Sequence, residues 1–183
     1  YNPEAHFNLA RIKDIYNRRK EALELYSTAI KIKPDYYEAY EGLAIDLTRL
    51  GNFKCAVDVY NKAIKIFPNS YEMLYNVAMI ESEIGNYDHA IESFEKVISI
   101  KPDLYSAYYS LGKLYFNKKE YEKSIQAYQH ILSSSAYGTR SYYKLAIVYC
   151  EMKDYERAMS SLEYAMESDS HYIKEAESEY TFN

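Results

Sequence analysis

Three prolines constrain this chain more than any other feature. Pro34, Pro68 and Pro102 fall 34 residues apart, and each closes an apolar run: Lys31-Ile32-Lys33, Ile64-Lys65-Ile66-Phe67 and Ile98-Ser99-Ile100-Lys101. Proline has no amide proton to give a helix interior, and it biases the residue before it toward extended backbone. A helix breaker at one fixed interval therefore marks a structural unit that stops and restarts on schedule.

Other columns keep the same step. Leu9, Leu43, Val77, Leu111 and Leu145 are aliphatic; Ala10, Ala44, Ala78, Gly112 and Ala146 are small; so are Ala22, Ala56, Ala90, Ser124 and Ala158. Tyr26, Tyr60, Phe94, Tyr128 and Leu162 are large, and Ala29, Ala63, Val97, Ile131 and Ala165 are small or aliphatic. No insertion shifts the register between Pro3 and Tyr172. The small column lets two helix backbones approach closely, and the aromatic column supplies bulk to fill the space between helices.

Each unit holds two helices. Tyr40, Leu43, Ala44 and Leu47 follow the i, i+3, i+4, i+7 spacing of one helical face, and Ala56, Tyr60, Ala63 and Ile64 mark a second. Between them lies Leu50-Gly51-Asn52-Phe53. Gly51 and Gly85 supply the positive φ that ends a helix, and Asn17 is the next-best residue there. Lys119 and Lys153 hold that column later, so those turns are expected to close differently. Asn2-Pro3-Glu4 reads as N-cap, first-turn proline and first-turn acid.

Composition narrows the function. The chain of 183 residues has 27 acidic side chains against 22 basic ones, the wrong balance for a nucleic-acid protein, which clusters Lys and Arg. No apolar run approaches the roughly 20 residues that span a bilayer. Cys55 and Cys150 lie far apart with no CxxC, which fits a reduced, cytoplasmic setting. The start at Tyr1 rather than Met reads as a truncated N-terminus. His6, His89, His130 and His171 fall at unrelated places in the repeat, and no dinucleotide, P-loop or nucleophile-elbow motif occurs. No catalysis, metal or cofactor is expected. A helical array offers instead a long surface suited to binding.

The fourth unit reads Tyr108-x₂-Leu111-Gly112-x₂-Tyr115, then Ser124-x₃-Tyr128; the second reads Tyr40-x₂-Leu43-Ala44-x₂-Leu47, then Ala56-x₃-Tyr60 and Pro68. On these motifs the chain resembles the tetratricopeptide repeat family. The resemblance implies an all-α fold, a right-handed superhelical α-solenoid of antiparallel helix pairs. It implies one domain over residues 1–183, with repeats 3–36, 37–70, 71–104, 105–138 and 139–172 and a capping helix at 173–180. His6, Lys13, Glu81, Ala136 and Ser170 depart from the family pattern and predict locally looser packing.

The resemblance also implies that the first helix of each repeat lines an inner groove. One groove column is Phe7, Glu41, Tyr75, Tyr109, Tyr143, and its neighbour one turn on is Arg11, Ile45, Met79, Lys113, Ile147. Tyr75, Tyr109 and Tyr143 are expected to form a ladder against apolar side chains of a bound peptide, unless the rings pack on neighbouring first helices. In the first-turn column, Glu4, Glu38 and Glu72 answer the helix dipole, while Arg140 reverses the sign. Lys144 stands four residues after Arg140, and Lys113 on the preceding first helix; three such cations suit a carboxylate or other anion. Arg140 and Lys144 match the basic pair of the carboxylate clamp of chaperone-binding members, but Ser110, Tyr75 and Met79 replace its other positions. Asn76 sits in the column that carries a backbone-holding asparagine ladder in some long arrays.

The expected function is a protein–protein interaction scaffold that holds a peptide segment or helix of a partner. Two alternatives stand beside it: the substrate-recruiting, non-catalytic arm of a larger enzyme or signalling protein, and a structural module that self-associates through its end helices.

Overall fold

The computed structural model describes residues 2–168. They form ten helices and no strand: α1 Pro3–Ile15, α2 Arg19–Ile32, α3 Tyr37–Arg49, α4 Phe53–Ile66, α5 Tyr71–Glu83, α6 Tyr87–Ile100, α7 Tyr105–Asn117, α8 Tyr121–His130, α9 Gly138–Glu151 and α10 Tyr155–Ser168. The end of the fifth expected repeat and the expected capping helix at 173–180 lie outside the described residues. The chain divides after Ile100 into two compact units, α1–α6 and α7–α10, each a set of consecutive helix hairpins.

Local chemistry sets the helix ends. The Asn2 side chain accepts hydrogen bonds from the backbone of Glu4 (2.9 Å) and Ala5 (3.3 Å), with Pro3 opening α1. Ser70 caps α5 through the Met73 amide at 3.2 Å. α2, α4 and α6 each stop two residues before a proline, and Lys33, just before Pro34, is extended.

The turns inside the five hairpins are alike. Asn17, Gly51, Gly85, Lys119 and Lys153 all have positive φ, between 58° and 87°. Lys119 and Lys153 were expected to close their turns differently; they do not. The Lys119 amide reaches the Phe116 carbonyl and the Glu120 amide the Tyr115 carbonyl, both at 2.8 Å, just as Gly51 and Asn52 reach Thr48 and Leu47, both at 2.9 Å. Two satisfied helix-end carbonyls outweigh the roughly 1–2 kcal/mol that a left-handed lysine costs.

Unit 1 is cored by Ala10, Ala22, Tyr26, Ala29, Ala39 and Leu43, followed by a second cluster around Tyr40, Ala44, Ala56, Tyr60, Ala63, Met73, Val77 and Ile80. In unit 2, Tyr128, Leu145, Val148, Tyr149 and Ala158 form one cluster, and Tyr143 with Ala165 another. One departure from the repeat pattern and one polar member of a small column are both well packed. Glu81 is buried and accepts from the Asn86 side-chain amide at 2.6 Å. Ser124, in the alanine column, is buried with its hydroxyl donating to the Gly112 carbonyl at 2.8 Å.

The repeat changes locally between α8 and α9. α8 ends at His130 after 10 residues, whereas α2, α4, α6 and α10 have 14, and α9 starts at Gly138, one residue before the expected boundary. This segment carries Ser133-Ser134-Ser135-Ala136 and no proline, and serine favours turns over helix interiors. The Gly138 amide bonds to the Ser134 carbonyl at 2.7 Å. A Cβ on Gly138 would lie 2.4 Å from the Leu132 carbonyl oxygen, so only glycine lets the chain pass here.

Candidate functional site

In unit 2, Lys113 of α7 and Lys144 of α9 line one pocket of about 180 Å³, together with Phe116, Asn117, Tyr128, Ile147 and Val148. Two lysines from successive first helices thus share a largely apolar lining. Tyr128 is buried, and its hydroxyl pKa is pushed far above the ordinary phenol range by burial, reinforced by Tyr109. The ring owes its place to Gly112: a Cβ there would lie 2.6 Å from a Tyr128 ring carbon.

Tyr109 packs edge-on against Tyr128, with centroids 5.7 Å apart, and meets Tyr137 at the same distance. The repeat columns gave no sign of Tyr137, because the early end of α8 brings it there. Arg140 is exposed in the first turn of α9 and is not among the lining residues of the pocket. The expected tyrosine ladder needs a correction at Tyr143, which is only 1% exposed and packs with Ala165, Leu162, Ile147 and Tyr142. The aromatic column holds the smaller Leu162 in this repeat, and the Tyr143 ring joins the core beside it. Lys144 lies over that ring, its Nζ 5.1 Å from the centroid.

In unit 1, Tyr75 packs edge-on against Phe94 of the same hairpin at 5.4 Å, as Phe7 meets Tyr26 at 5.8 Å. These rings and Tyr109 pair with the aromatic column of their own repeat. The Tyr60 pKa is pushed up to about 12 by burial, then by Glu41, with Asn76 opposing. Met79 is exposed.

Unit 1 also groups carboxylates that the repeat columns did not single out as a site. Glu41, in the same column as Tyr75, is partly buried, and its carboxyl pKa is raised by burial and then by Glu72 and Glu38. Read with Glu41, the glutamates of the first-turn column would have disclosed this cluster. The first-helix side of unit 1 therefore gathers negative charge, whereas that of unit 2 gathers lysines.

Among the described residues no group of three or more His, Cys, Asp or Glu could hold a metal ion, and no helix is long and apolar enough to cross a membrane. Cys55 and Cys150 are not joined in a disulfide.

Family models described as tetratricopeptide repeat match residues 17–71, 105–136 and 139–172, and one described as TPR repeat matches 80–119. Comparison with curated protein sequences gives no match. Among solved structures, a MamA protein superposes with a TM-score of 0.84 at 20% identity, covering 99% of this chain and 96% of that one. MamA from Desulfovibrio magneticus RS-1 gives 0.80 at 23% identity, covering 91% and 94%. YrrB, described as a TPR protein with an unusual peptide-binding site, gives 0.79 at 15% identity, covering 92% and 87%. At these identities the structural likeness establishes the fold.

Proposed function

Because the chain belongs to the tetratricopeptide repeat family, we propose that it is a non-catalytic interaction scaffold whose first-helix side holds a peptide segment of a partner protein. The single observation that carries this reading is the pocket lined by both Lys113 and Lys144. Two cations beside Phe116, Tyr128 and Ile147 suit a carboxylate, from an acidic side chain or a chain terminus, carried next to an apolar residue. Lys144 is held in place by the Tyr143 ring beneath it, which lowers the ordering cost of binding. Tyr75, Asn76, Met79 and Glu41 of unit 1 offer a separate recognition surface of their own, on which Glu41 favours a basic residue. Arg140 attracts the same acidic group from outside the pocket. The peptide-binding site described for YrrB adds weight to a peptide as the ligand class.

The test uses two fluorescent peptides matched in length, one alternating Glu with Leu and one alternating Lys with Leu. Binding of the acidic peptide to the 183-residue chain is measured by anisotropy, with and without Lys113→Glu plus Lys144→Glu. The double variant is expected to bind the acidic peptide at least about tenfold more weakly, a change of about 1.4 kcal/mol, with unchanged helical circular dichroism. Equal affinity in the two proteins, or no binding to the parent chain, rejects the reading.

A further inference from the structure

Where α4 hands over to α5, unit 1 holds a second pocket, of about 480 Å³ and open to solvent. Tyr37, Phe67 and Pro68 give it apolar walls, and Asn69, Ser70 and Glu72 give it polar groups. The Tyr37 and Phe67 rings meet edge-on, with centroids 5.3 Å apart. A hydrogen-bond chain runs from the Tyr37 hydroxyl to Ser70 Oγ (3.0 Å) and on to Glu72 Oε2 (3.2 Å), which fixes ring and carboxylate relative to one another.

The charge around this pocket is one-sided. The Tyr37 hydroxyl pKa is raised by burial, against the Ser70 hydrogen bond, and then by Glu72, Glu41 and Glu38. Among the described residues none of these three glutamates forms an ion pair. The helix dipole accounts for Glu38 and Glu72, which stand in the first turns of α3 and α5. It does not account for Glu41, which lies past the first turn of α3 and is partly buried. The three are not grouped so as to hold a metal ion. Carboxylates spread around aromatic walls suit an organic cation instead.

We propose that this pocket takes an arginine side chain of a partner protein. A guanidinium is planar, so it can lie on a ring face while its N–H fork donates to the Glu72 carboxylate. It is also more weakly hydrated than an ammonium group, and gives up less on entering a pocket with ring walls. Glu38 and Glu41 supply the field that draws the cation in. The proposal rests on the reading of unit 1 as a surface that favours a basic residue, and the pocket shares no residue with the one at Lys113 and Lys144.

The test is a titration of the isotope-labelled 183-residue chain, followed by amide chemical shifts, with an alternating Arg–Gly peptide. The same peptide made with citrulline keeps the shape of arginine and removes its charge. The Arg peptide is expected to give saturable shifts at Phe67, Asn69, Ser70 and Glu72. Citrulline in the peptide, or Glu72→Gln in the protein, is each expected to weaken binding about tenfold, the usual scale for a charge-assisted hydrogen bond. Glu24→Gln removes an exposed glutamate of α2 outside the pocket and is expected to bind as the parent does. Equal affinity for the two peptides, unchanged affinity in Glu72→Gln, an equal loss in Glu24→Gln, or shifts that miss these amides overturns the proposal. Glu72→Gln is expected to leave acidic-peptide anisotropy unchanged, so failure here and failure of the Lys113–Lys144 reading show in different assays.

Discussion

Gly112 occupies a column that elsewhere holds only alanine. The sequence marks that column as small, which suggests two helix backbones in close approach. The neighbour of Gly112 is instead a side chain, the Tyr128 ring, 2.6 Å from where a Cβ would stand. Gly42 stands in the same relation to Tyr26, also at 2.6 Å, although its column is mixed: Asn8, Gly42, Asn76, Ser110, Lys144. Smallness was legible, but its cause lay on another helix. Gly112→Ala should push Tyr128 out of place and lower thermal stability by about 1–3 kcal/mol, the usual cost of overpacking. Tyr128→Leu in the same chain should recover part of that loss. Fully additive losses in a thermal melt would show that the ring is not what the glycine accommodates.

Among the elements, α1 and α3 are joined by a charge cluster that no column predicts. Asp46 sits where the other first helices carry Ile12, Ile80, Leu114 and Val148, and it is buried. Arg49 Nη1 bridges Asp14 Oδ2 at 3.0 Å and Asp46 Oδ1 at 3.5 Å, and Arg19 Nε approaches Asp14 Oδ1 at 3.7 Å. Burial and the neighbouring Asp14 push the Asp46 pKa up to about 6, against the pull of Arg49 and Arg19. A carboxyl group whose pKa is raised on folding favours the folded state while it is protonated. The contribution is complete below the unfolded value of 3.8 and is lost as pH rises through about 6. Between roughly pH 4 and pH 6 this group should therefore lower the melting temperature of the parent as pH rises, and Asp46→Asn should remove that contribution to the slope. An identical slope in the variant would assign the pH dependence to other groups. The short α8 teaches the same lesson. Its serines are visible in the sequence, but Gly138 passing the Leu132 carbonyl is not.

At the scale of the whole molecule, the even 34-residue period gives no sign of a division after Ile100, yet two compact units meet there in the chain. Unit 1 contains both of its core clusters and the Asp14–Asp46–Arg49 group entirely within its own residues. A repeat array gains stability from each hairpin and each neighbouring interface, so three hairpins should suffice for folding. A chain stopped after Ile100 is expected to keep helical circular dichroism, a cooperative melt and the pH slope that depends on Asp46. A non-cooperative melt would mean that unit 1 needs the rest of the chain.

The sequence by itself determined the repeat, the helix pairs, the Asn2 cap of α1 and the prolines that end α2, α4 and α6. These follow from backbone sterics and hydrogen bonds among residues close in the chain, and the 34-residue period repeats the pattern. Only the tertiary structure decided which members of a column face solvent. Tyr75 and Tyr109 lean on the aromatic ring of their own hairpin, while Tyr143 enters the core beside Leu162; Lys113 and Lys144 meet at one pocket, while Arg140 stays outside it. A column fixes the direction of a side chain from its own helix. Its burial depends on the volume left by residues on other helices, and one substitution such as Leu162 is enough to change that volume.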